Sequence, residues 1–119
     1  MTGPRTDTDA LGRQRQAVTA LAGLLDRARA EGLPVMDWEV PPSLSLVARP
    51  RHDDDPGVVR ADWRRWCDAL GAPGREATVG AVTFLSGLAE VPVPGDRRLL
   101  VAVVTEVPAA GAGDGGAGR

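Results

Sequence analysis

Apolar and polar residues alternate along this chain with two distinct periods, and those periods divide it into six segments. From Asp9 to Glu31, Leu11, Val18, Leu21, Leu25 and Ala28 recur at helical spacings and predict one amphipathic helix. Gly32 and Pro34 stop it, because Gly accepts the left-handed backbone just past a helix and Pro cannot continue the hydrogen-bond ladder. In VMDWEV, Met36, Trp38 and Val40 alternate with Asp37 and Glu39, the period-two pattern of an edge strand with one wet face. Pro41, Pro42 and Ser43 turn the chain, and LSLVAR then offers Leu44, Leu46 and Ala48 on one face, so the two strands form a hairpin. A second helix lies within residues 51–71. Beyond the breaker GAPGRE, ATVGAVTFLSGLAEV reads as one long strand with a bend or bulge near Gly87. VPVPGDR then turns into RLLVAVVTEV, whose Leu99 to Val104 are apolar on both faces, as an interior strand requires.

The order α-β-β-α-β-β predicts an α+β two-layer sandwich: a four-stranded antiparallel sheet with two helices on one face. With the all-apolar last strand inside, the sheet order is 3-4-2-1, a circularly permuted ferredoxin-like arrangement, and a simple meander is the alternative. The reading makes residues 9–107 a single domain and residues 1–8 a disordered N-terminal segment. Residues 108–119, PAAGAGDGGAGR, form a disordered Gly/Ala-rich tail, since no large apolar side chain offsets the entropy of ordering it.

The stretch RHDDDPGVVRADWRRWCDALG, residues 51–71, holds the only His, the only Cys and two of the three Trp. Val59, Trp63, Trp66, Cys67 and Leu70 fall on one helical arc, a core face, while Arg60, Arg64 and Asp68 lie opposite, with Arg64 and Asp68 spaced to pair. Asp55 before Pro56 is the expected N-cap, and Asp53 and Asp54 complement the helix dipole. A metal at His52 and its neighbouring carboxylates lacks a second His or Cys at ligand spacing, so no metal site is assigned. Cys67 sits among tryptophans with the only imidazole fifteen residues away, the position of a buried small hydrophobe. The sequence offers no catalytic trio and no cofactor motif.

Composition narrows the remaining classes. A hydrophobic share of 43% with 25% charged residues is that of a chain able to fold around a core without disulfides. A net charge of -2 gives no global field for polyanions, so charge alone does not favour nucleic acid as a partner. All 14 basic residues are arginine, as a GC-rich coding bias produces. The lone Cys67 and an N-terminus without an apolar signal region point to the cytoplasm. No apolar run approaches the length of a membrane span, the nearest being LLVAVV at 99–104.

L-P-x-x-x-W-x-V at Leu33 to Val40, W-x-x-A-L-G at Trp66 to Gly71, and the alternating valines before Glu106 and Val107 resemble small uncharacterised α+β proteins of high-GC Gram-positive bacteria. The resemblance covers roughly residues 10–107, implies an α+β fold, and carries over no activity and no functional residue. Function therefore rests on the residues themselves. The leading expectation is a non-enzymatic regulatory or adaptor protein that binds an unidentified protein or its own copy. Trp38, flanked by Asp37 and Glu39 on the edge strand, either caps the core under the first helix or, left partly uncovered, is the candidate contact. The alternatives are a small-molecule-binding protein or small enzyme with a cleft on the open sheet face, drawing on Thr83, Ser86, Thr105 and Glu106, and weak nucleic-acid association through Arg49, Arg51, Arg60, Arg64 and Arg65.

Overall fold

The computed structural model describes residues 3–109, with side chains from residue 9 onward. The elements are α1 (Gly3–Glu31), β1 (Met36–Glu39), β2 (Ser45–Pro50), α2 (Pro56–Leu70), β3 (Gly74–Val79), β4 (Val82–Val93) and β5 (Arg97–Pro108). They form an α+β domain of two helices packed on one face of a five-stranded mixed sheet, in the order β1-β2-β5-β4-β3. The four strands expected from the sequence keep their predicted adjacency, but the sheet is neither four-stranded nor wholly antiparallel. What reads as a breaker and one long strand is a hairpin, with Gly80 at φ 61° opening the two-residue turn Gly80-Ala81. The extra strand changes the parity of the chain. After α2 has crossed back over the sheet, β3 adds one reversal, so β5 returns parallel to β2 instead of antiparallel. The permuted ferredoxin-like assignment falls for the same reason.

Helix α2 follows its sequence closely. Asp55 caps it by accepting from the Gly57 N–H at 2.8 Å, Asp53 accepts from the Asp55 N–H at 2.8 Å, and Gly71 ends it at φ 68°. Val59, Trp63, Trp66 and Cys67 are buried, and the indole N–H groups donate to Val103 O at 3.1 Å and Pro34 O at 2.8 Å. The core is therefore anchored by two large aromatics whose polar atoms are satisfied. Gly87 carries no bulge, since the β4–β5 register runs unbroken through Gly87↔Val103. Its role is proximity: a Cβ there would stand 2.5 Å from Cys67 Sγ, and one on its sheet neighbour Gly74 would stand 2.8 Å from the Trp63 ring. Paired glycines on β3 and β4 thus let α2 lie directly on the sheet.

Helix α1 begins at Gly3, ahead of the expected start at Asp9. It buries a different row from the expected one. Ala17 and Leu24 are buried, with Leu21 and Ala28 partly so, while Leu11, Val18 and Leu25 are exposed. Successive residues are about 100° apart on a helix, so α1 carries two adjacent apolar rows, and the sheet takes the one whose small Ala17 permits close approach. Gln14 fixes this rotation by donating to Val40 O at 2.7 Å. At the other end, Ala109 is buried and its N–H donates to Ala81 O at 2.9 Å, so order extends past Pro108. The rest of the Gly/Ala-rich tail lies outside the described residues.

Candidate functional site

Strand alternation assigns every sheet residue to the helix side or to the open side. On β5 the helix side carries the buried Leu99, Val101, Val103 and Val107, and the open side carries Arg98, Leu100, Ala102, Val104 and Glu106. Register extends the open side to Phe84, Ser86, Leu88 and Glu90 on β4, Val47 and Arg49 on β2, and Asp37 and Glu39 on β1. The outcome is an uncovered apolar band. Phe84 is 43% exposed, Leu88 56% and Leu100 40%, and Ala102, Val104 and Val47 fill the space between them. Charge surrounds the band: Arg49 lies 3.6 Å from Glu39, and Arg98 lies 3.6 Å from Glu90.

The structure separates the three residues singled out on the edge strand. Asp37 and Glu39 are exposed on the open side, whereas Trp38 faces the helices, partly buried, with its ring edge-on to Trp66 at 5.3 Å and 80°. The polar candidates also divide. Thr83 is buried on the helix side, where its hydroxyl meets that of Thr78 at 2.8 Å, and Thr105 shares that side, while Ser86 and Glu106 look outward. Two of the five arginines meet at one carboxylate instead of forming a free basic patch. Arg60 pairs with Glu76 of β3 at 2.6 Å, and Arg64 lies 3.8 Å from the same carboxylate and over the Trp63 ring. The expected Arg64–Asp68 pair is replaced by these contacts, because β3 brings Glu76 beneath the outer face of α2.

An open cleft of about 510 Å³ lies between the ends of β1 and β2 and the start of α2, lined by Asp37, Arg49, His52, Asp54 and Glu106 among others. Its titratable groups are solvated. His52 and Asp54 stand 3.4 Å apart with both side chains almost wholly exposed. Among the described residues, no group of three His, Cys, Asp or Glu is placed to hold a metal ion. Burial pushes the Cys67 thiol above its ordinary pKa, with the Asp68 carboxylate adding to the effect and Arg64 opposing it. No described helix is long and apolar enough to cross a membrane.

No family model, curated protein or solved structure matches the chain. Phe84, Leu88 and Leu100 do not stand out in sequence as open-face residues, because a strand that is apolar on both sides looks like one buried on both sides. The available signal was the pair of large residues, Phe84 and Leu88, set four apart on one face of β4.

Proposed function

We propose that this chain is a non-enzymatic regulatory or adaptor module that binds protein through the open face of its sheet. One observation carries the reading: Phe84, Leu88 and Leu100 are exposed on one face of paired strands, joined diagonally through Val104 and Ala102, and uncovered among the described residues. Single exposed apolar residues are ordinary on a protein surface, but a contiguous patch ringed by charge has the anatomy of an interface. The strands beneath it are paired, so recognition is by side chains on the face and not by adding a strand. Asp37 and Glu39 contribute to the rim, and Trp38 supports it from behind.

Photo-crosslinking tests the reading. A p-benzoylphenylalanine replacing Ala77, at the rim beside Phe84, captures a protein in living cells, and the same group replacing Asp26 on the outer side of α1 does not. Equal capture from both positions, or none from Ala77, refutes it.

A further inference from the structure

We infer that the open face docks on a second copy of this chain, through a two-fold axis that lies between the stacked sheets and runs perpendicular to the strands over Ala102. The inference rests on reading that face as the contact surface. It is carried by the order of charges along the central strand. The open side of β5 runs Arg98, Leu100, Ala102, Val104, Glu106, basic at one end, acidic at the other and apolar between. A two-fold perpendicular to the strands lays position 98 over 106 and 100 over 104. Arg98 then meets Glu106 of the partner subunit at both ends, and Leu100 packs on Val104 of the partner subunit. The alternative axis, parallel to the strands over the central strand, would oppose Arg98 to Arg98 and Glu106 to Glu106, and like charges so placed repel.

The neighbouring strands agree with the same axis. By register, Leu88 on β4 and Val47 on β2 lie level with Ala102, so each meets its own copy and the apolar band closes on itself. Phe84 falls over Pro92 of the partner subunit, and Arg75 on β3, level with Ser86, comes beside Glu90 of the partner subunit. Glu39 opposes its own copy at the margin, where Arg49 already lies 3.6 Å from it.

Size and geometry suit a weak, reversible dimer rather than an obligate one. About fourteen outward positions have a counterpart under this axis, and at a cell of about 4.8 by 6.6 Å each they give about 450 Å² per copy before side-chain relief. A standard interface takes about 800 Å² per partner. Packed sheets differ in direction by about 30°, which at about 13 Å from the axis displaces Arg98 from its counterpart by about 7 Å, a gap two long side chains can close. Residues 110–119 contain only Ala, Gly, Asp and Arg, with no large apolar side chain to match the band.

Sedimentation equilibrium of the full chain tests the inference. The wild type should show a reversible species of twice the 12.4 kDa monomer. Arg98→Glu and Glu106→Arg should each weaken it about tenfold or more, and the double reversal should restore it. Leu88→Arg, an exposed substitution that circular dichroism will show folded, should abolish it, and Leu25→Glu on the exposed row of α1 should leave it intact. A wild type that stays monomeric, a double reversal no better than its single variants, or a dimer lost with Leu25→Glu overturns the inference. A monomeric wild type that still captures a different protein from position 77 leaves the contact face standing without the dimer. A monomer that captures nothing refutes both.

Discussion

The contact between Gly87 and Cys67 yields a substitution whose effect should change sign with its background. Gly87 lies in regular strand without a positive φ, so the backbone accepts alanine there, and relief of glycine's conformational freedom would stabilise the fold by about 0.5–1 kcal/mol. The added methyl, however, stands 2.5 Å from Cys67 Sγ in a packed core. Overpacking of this kind costs about 1–3 kcal/mol, so Gly87→Ala should destabilise by about 1–2 kcal/mol net. In a Cys67→Ala background the sulfur is gone. The nearest atoms are then the Ala72 Cβ at 3.5 Å and the Cβ of residue 67 at 3.7 Å, ordinary contacts. Gly87→Ala should now stabilise by up to about 1 kcal/mol, a coupling of about 2 kcal/mol for the pair. Urea unfolding followed by tryptophan fluorescence reads all four proteins, since Trp63 and Trp66 are buried beside this contact. Equal destabilisation in both backgrounds would show that α2 does not rest on Gly87.

Three further outcomes follow from the same geometry. Trp66→Ala removes a fully buried ring and its bond to Pro34 O and should cost about 3–5 kcal/mol, whereas Trp38→Ala, taking away only the partly buried edge partner, should cost distinctly less by chemical denaturation. Asp55→Ala should cost about 1 kcal/mol and Asp55→Ser should recover most of it, a pattern that distinguishes a cap from a charge effect. Because burial holds the folded Cys67 thiol above its ordinary value, the unfolded chain loses that proton first as pH rises. Stability is therefore full below the unfolded value of about 8.5 and declines as pH climbs from there through the folded value, and Cys67→Ala should remove that decline in urea midpoints.

Sequence was most informative where one physical requirement dominated. Helix α2 needs a cap, a proline-tolerant first turn and a core face, and Asp55, Pro56 and the Val59-Trp63-Trp66-Cys67 arc meet those needs within one short segment. The β1–β2 hairpin and the central place of β5 were legible for the same reason. Strand β3 was not. Gly74, Arg75 and Glu76 show no apolar alternation because the strand is exposed along its whole length. What holds it is pairing with β4 and the reach of Arg60 to Glu76, neither of which has a local signature. Missing that one strand was enough to invert the direction of β5 relative to β2. Helix α1 failed differently, since two apolar rows of similar strength left its rotation to be decided by tertiary fit at Ala17 and by Gln14 reaching Val40 O.

The candidate site explains why β5 could be placed correctly for an incomplete reason. Leu99, Val101 and Val103 are apolar because the helices cover them, but Leu100, Ala102 and Val104 have no such cover among the described residues. Apolar residues on both sides of a strand therefore report two separate demands, one from the fold and one from whatever meets the open side. The fold alone would be met by polar residues at positions 100, 102 and 104, as it is met by Arg98 and Glu106 on the same side. Replacing Leu100 with Thr separates the two demands. It preserves strand propensity, and the side chain it shortens is already 40% exposed, so the isolated domain should lose less than about 1 kcal/mol. Association through the open face should weaken at the same time, because the Leu100 contact lies in the apolar centre where interface energy concentrates. A large loss of stability in the monomer would assign Leu100 to the fold, and association at wild-type strength would remove it from the contact.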